Sequence, residues 1–196
     1  MTKEEIKYLK ETTKGKVLAE TIRTHFNFIK IKYGEDGVKK VLNELKKIGF
    51  EIDLARLKPF DYVPTYLADL VILVFKETFS LNDKDIFEMG NTAPKYSLIA
   101  KLLMKYFISP SLVVKIAPIF WKRHFTEGYL ESEYNGKEKY FKVKLYHNCY
   151  PVLCVFYAGY FQRIAQYVIK GKNFSVQETK CMAKGDPYHE FIIKFE

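Results

Sequence analysis

The sequence predicts an α+β fold: an N-terminal helical subdomain packed on a C-terminal antiparallel sheet that holds one buried central helix. Three observations carry this reading. Apolar residues recur three and four apart through roughly the first 124 of 196 residues, the period of a helix with one buried face. At Thr126 the pattern switches to alternation on either side of Asn135-Gly136, a strong hairpin signal. A long apolar segment between Pro151 and Gly171 then separates this hairpin from a second alternating pair. Helices followed by strands favour α+β with antiparallel pairing.

The elements follow in order. "LAETIRTHFNFIKIKYG" has helical spacing and is expected to stop at Gly34, and "GVKKVLNELKKIGF" places Val38, Val41, Leu42 and Leu45 on one face before Gly49. Pro59 and Pro64 punctuate a connector. "TYLADLVILVFKETF" is apolar nearly all round, as a buried helix would be. "SLNDKDIFEMGN" offers N-cap residues and then a break, "KYSLIAKLLMKYF" is amphipathic, and "SPSLVVKIAPIFWKRHF" opens a helix with Pro110 in its first turn. "EGYLESEY" and "KYFKVKLY" form the first strand pair. "NCYPVLCVFYAGYFQRIAQYVIKG" is the central helix, spanning roughly 149 to 169, with Asn148 as N-cap and a polar stripe of Gln162, Arg163 and Gln166. "NFSVQETKC" and "HEFIIKF" read as a last hairpin around Gly185-Asp186-Pro187. One domain, 1–196, is expected, mainly helical over 1–124 and ββαββ over 125–196.

Composition narrows the function. Sixteen Phe and fifteen Tyr bury large areas per residue and imply a bulky core. The net charge of +9 comes from lysines interleaved with glutamates, without the basic run or glycine-aromatic segment of a nucleic-acid binder. No nucleic-acid partner is therefore expected. The apolar run near "YLADLVILVF" is interrupted by Asp69 and too short to span a bilayer. The charged first residues lack a signal-peptide core. Three cysteines do not make a disulfide framework, so a cytoplasmic, reduced chain is expected.

The candidate site is "ETKCMAKGDPYHEF", residues 178–191. With Gly185 at the centre of a hairpin, Cys181 and His189 are cross-strand partners. Opposed Cβ atoms lie about 4.5–5.5 Å apart, close enough for sulfur and ring nitrogen to share a metal ion. Glu178 reaches the same side only if a bulge or strand end falls near Lys180. A further ligand would come from Cys154, Cys149, His147 or His124.

The motif Glu178-x-x-Cys181-x-x-x-Gly185-Asp186-Pro187-Tyr188-x-x-Phe191, with Cys154 five residues before Gly159-Tyr160, resembles the C-terminal signature of the vinyl-4-reductase domain. The match covers roughly residues 120 to 196. More distantly, the helical part is similar to the superfamily that also includes haem-nitric-oxide-binding domains and subunits of Golgi transport complexes. The resemblance implies a helical subdomain on an antiparallel sheet with an apolar ligand cavity between them. It also implies a zinc ion held by Cys154, Glu178 and Cys181, with His189 standing where the family carries a last Cys.

The expected function is therefore binding of a hydrophobic small molecule, sensory rather than catalytic, beside a structural zinc site. Phe120, Trp121, Phe156, Tyr157 and Phe161 are the candidate pocket residues. No catalytic residue is assigned, and no dinucleotide or P-loop motif is visible. The alternatives are a reductase-like enzyme acting on a tetrapyrrole, a haem gas sensor using His25, His124 or His147, and a protein-assembly module. Haem is not expected, because no tyrosine begins the Tyr-x-Ser-x-Arg motif of that family. Any signal would leave through a homodimer or a signalling partner protein, without membrane insertion.

Overall fold

The computed structural model describes residues 1–103 and 109–196. The α+β class is borne out, with helices up to His124 and a four-stranded antiparallel sheet beyond it. Helix α1 (Lys3–Thr12) starts at a capping box in which Thr2 and Glu5 satisfy each other's backbone. Strand β1 (Lys16–Leu18) pairs with β2 (Tyr62–Pro64) in a small ladder that the sequence does not announce, since three residues are too few to show alternation. Between them, α2 (Glu20–Lys47) passes through Gly34. The expected stop is a kink: Gly34 takes φ 70° and ψ −172°, a conformation open to glycine, and the helix resumes.

Helix α3 (Thr65–Phe79) coincides with the expected buried helix. Helix α4 (Asp83–Tyr96) is capped by Asn82 and Asp85 but does not break at Gly90-Asn91. Gly90 is there for packing. A Cβ on it would lie 1.9 Å from the Phe156 carbonyl oxygen, and one on Gly159 would lie 2.1 Å from that of Phe87. The two glycines let α4 and α7 (Val152–Val168) cross backbone to backbone. Arg163 and Asn91 lock the crossing with side-chain and backbone hydrogen bonds. Helix α5 (Leu98–Leu103) begins within "KYSLIAKLLMKYF"; residues 104–107 of that expected helix lie outside the described residues. Helix α6 (Pro110–His124) has Ser109 as N-cap and Pro110 in its first turn.

The sheet runs β3 (Tyr129–Asn135), β4 (Tyr140–Tyr146), β6 (His189–Phe195), β5 (Phe174–Lys180), each neighbour antiparallel. The first hairpin is not a two-residue Asn-Gly turn. Asn135 is the last strand residue, paired with Tyr140, and its Oδ1 accepts from the backbone N–H groups of Lys137 and Glu138. Helix α7 starts three residues later than expected, with Pro151 rather than Asn148 at its N-cap. Leu130, Phe141, Val143, Leu145, Phe191 and Ile193 form the buried face of the sheet. Among the described residues, no helix is long and apolar enough to cross a membrane.

Candidate metal centre and cavity

Local register explains how Glu178 and Cys181 come to share a face. Glu178 pairs with Phe191 and Lys180 with Glu190, so the register shifts by one at Thr179. Without that bulge, residues three apart on a strand point to opposite faces. With it, Glu178 lies beside the buried Phe191, and the register continued by one residue sets Cys181 opposite His189. The turn beyond is held by Asp186, whose Oδ2 accepts from the Cys181 N–H at 2.8 Å, and by Gly185 at φ 95°. Cys154 enters from the first turns of α7.

The four potential ligand atoms lie within 4.8 Å of one another. Cys154 Sγ is 3.7 Å from Cys181 Sγ and 3.6 Å from His189 Nδ1, and His189 Nδ1 is 3.0 Å from Glu178 Oε1. A tetrahedral ion with Zn–S bonds of about 2.3 Å has S···S edges of about 3.8 Å. The donor set of two thiols, one imidazole and one carboxylate fits zinc in both chemistry and spacing. His189 is fully buried, and both cysteines are nearly so.

Electrostatics agree. Burial opposes a charge on His189, but hydrogen bonds to Cys154 and Glu178 outweigh it and carry the imidazole up to about 10. The hydrogen bond with Cys149, together with burial, pushes the Cys154 thiol up, and burial does the same for Cys181. The cluster favours positive charge at its centre, and a metal cation supplies it by displacing protons. Of the other candidate ligands, Cys149 lies outside the four, with its Sγ 3.6 Å from His189 Nε2. His124 Nε2 is engaged with Thr21 Oγ1 at 2.7 Å, and His147 packs on Trp121 and Phe125.

A separate cavity of about 160 Å³ lies among α2, α3, α6 and α7. Phe120, Trp121, Phe156, Tyr157 and Phe161 all line it, whereas none of the four cluster residues does. The sheet contributes Leu130, so the cavity sits between helices more than between helices and sheet. Its α2 and α3 wall carries residues that sequence reasoning missed as site residues: Thr24, Thr65 and Asp69, with His25 noted only as a possible haem ligand. Asp69 is buried among apolar groups, which pushes its carboxyl up to about 8 against one hydrogen bond from Thr13. The one signal in the sequence is a lone carboxylate in an otherwise apolar helix.

Residues 137–195 match the vinyl-4-reductase domain. No curated protein matches the chain. Among solved structures, an H-NOX protein from S. oneidensis in the Fe(II)NO ligation state is 12% identical with a TM-score of 0.66, covering 91% of this chain and 99% of its own. An H-NOX mutant from T. tengcongensis is 15% identical with a TM-score of 0.62, covering 89% and 95%. An oxygen-binding H-NOX domain related to soluble guanylate cyclases is 13% identical with a TM-score of 0.60, covering 89% and 92%. At such identities the likeness is one of fold. The resemblance to the vinyl-4-reductase domain thus holds over the C-terminal segment, within a fold similar to that of H-NOX domains.

Proposed function

We propose that the chain is a sensory domain that binds a compact apolar molecule, and that a structural zinc ion pins its last hairpin to α7. The observation that supports this most is the separation of the two sites: an aromatic-walled cavity, and a four-residue cluster that does not line it. Four protein ligands leave zinc no open position for water or substrate, which is the structural rather than the catalytic pattern. The cavity is close in size to an engineered apolar cavity of about 150 Å³ that takes benzene. It is far too small for a tetrapyrrole, so although His25 and His124 line it, a haem reading is not favoured. Binding between α3, α6 and α7 would shift helices that pack against the zinc-pinned hairpin, and a second copy of the chain or a signalling partner would receive the change.

Two measurements test this. Native mass spectrometry should find about one zinc per chain, lost in Cys154→Ala and Cys181→Ala and kept in His189→Cys, which preserves a zinc donor. A thermal-shift panel of phenols, fatty acids and tetrapyrroles should single out small aromatic compounds. A metal-free chain whose melting temperature no compound raises would leave an assembly module as the better account.

A further inference from the structure

The cavity has two unlike poles. Helices α6 and α7 line it with Val113, Ile116, Ala117, Phe120, Phe156 and Phe161. From α3 come Thr65 and Asp69, four residues apart and therefore on one helical face, and from α2 comes His25. These three are at most 4% exposed. Thr65 Oγ1 and His25 Nδ1 are buried without a hydrogen-bond partner. Asp69 accepts one long bond, from Thr13 Oγ1 to its Oδ2 at 3.4 Å. Among the described residues, no cationic side chain lies within ion-pairing distance of it.

Unpaired buried polar atoms are costly, and three at one pole call for an explanation. Glu20, the other acid lining the cavity, shows the contrast: it accepts from Ser97 Oγ and from the Leu98 N–H. Two further unpartnered atoms, Trp121 Nε1 and His147 Nε2, belong to adjoining rings whose centroids are 5.4 Å apart, and form a separate pair. Burial holds His25 neutral, down to about 3, so its ring keeps an acceptor nitrogen.

We infer that the cavity is specific for a small apolar primary amine, whose ammonium head is received by Asp69, Thr65 and His25. An ammonium offers three donors and no acceptor, and this pole offers a carboxylate, a hydroxyl and a neutral ring nitrogen. The head group supplies the cation that Asp69 lacks, and the opposite wall takes a body of about one ring. This inference rests on the small-molecule reading above and narrows its ligand class.

The test is calorimetric titration of the zinc-loaded protein with benzylamine, benzyl alcohol and toluene, which share one ring and differ in head group. Benzylamine should bind about tenfold or more tighter than toluene, the scale of a hydrogen bond to a charged group. Asp69→Asn should abolish that advantage while leaving toluene binding in place, which also shows that the variant is folded. Thr65→Val should weaken benzylamine by a smaller factor. Toluene or benzyl alcohol binding as tightly as benzylamine to the unmodified protein would overturn the inference, and so would an amine preference that survives in Asp69→Asn. Those results would leave the cavity as a binding site. Failure of all three compounds to bind would remove the small-molecule reading, and this inference with it.

Discussion

Asp69 stands between Ala68 and Leu70 in the most apolar helix of the chain, and at the level of sequence it marks only an interruption. Its meaning depends on α2, which brings His25 to the same cavity, and no local pattern encodes that juxtaposition. The metal residues are more legible. Cys154, Glu178, Cys181 and His189 carry chemistry in their side chains, and the hairpin arithmetic around Gly185 needs only local register plus the bulge at Thr179. Asp69 also makes a pH prediction. Its folded value, raised by burial from 3.8 to about 8, means that the native state keeps a proton the unfolded chain has lost between those limits. Stability attributable to this group is fully present at acid pH and falls as pH rises through that window. The buried neutral His25, His124 and His147, lowered to about 3, about 4 and about 4, act oppositely, but only below their ordinary 6.5. Between about pH 6.5 and 8 the zinc-site groups act alike in the unmodified chain and in Asp69→Asn, so the difference between the two isolates Asp69. That difference is at most about 1.4 kcal/mol per pH unit. Urea titrations of both zinc-loaded proteins should show the unmodified chain losing stability relative to Asp69→Asn as pH rises over that window. Parallel profiles would mean that Asp69 is not held protonated.

Helices and strands are legible wherever their period is long enough to register, and the misses have specific causes. The β1–β2 ladder has three residues a side. Gly90-Asn91 looks like a helix end because glycine is a poor helix former, yet tertiary packing overrides propensity where α4 and α7 cross. Asn135-Gly136 looks like a tight turn, yet the strand continues through Asn135 and the side chain caps a longer one. The helix crossing carries a prediction. An alanine methyl at Gly159 would fall 2.1 Å from the Phe87 carbonyl oxygen and 2.8 Å from the Asn91 N–H nitrogen, both rigid backbone. Gly159→Ala should cost at least about 1–3 kcal/mol of folding free energy in chemical denaturation, the scale of overpacking a tight core. An unchanged midpoint would mean that α4 and α7 are not pressed together as described.

Across the whole molecule, the N-terminal helices and the sheet are tied by more than the core. Lys16 donates its N–H to Thr126 Oγ1, and Val17 bridges to Phe125, so the β1–β2 ladder straps the end of α6. Helix α7 lies between the two halves: it packs on α4, lines the cavity with Phe156, Tyr157 and Phe161, and supplies Cys154 to the metal cluster. A shift of this one helix would be felt at both sites, which is the physical content of the sensory reading. The central claim is that the cavity is a binding site, and a cavity-filling variant tests it most directly. Ala117 lines the cavity from α6, and Ala117→Leu would occupy much of its roughly 160 Å³. Thermal melting of zinc-loaded protein should be followed against rising concentrations of an apolar single-ring probe, toluene or benzylamine. At a hundred times the dissociation constant, the unmodified chain should gain about 2.7 kcal/mol. The variant, still holding its zinc, should gain nothing. Equal stabilisation of both chains, or of neither, would contradict the account.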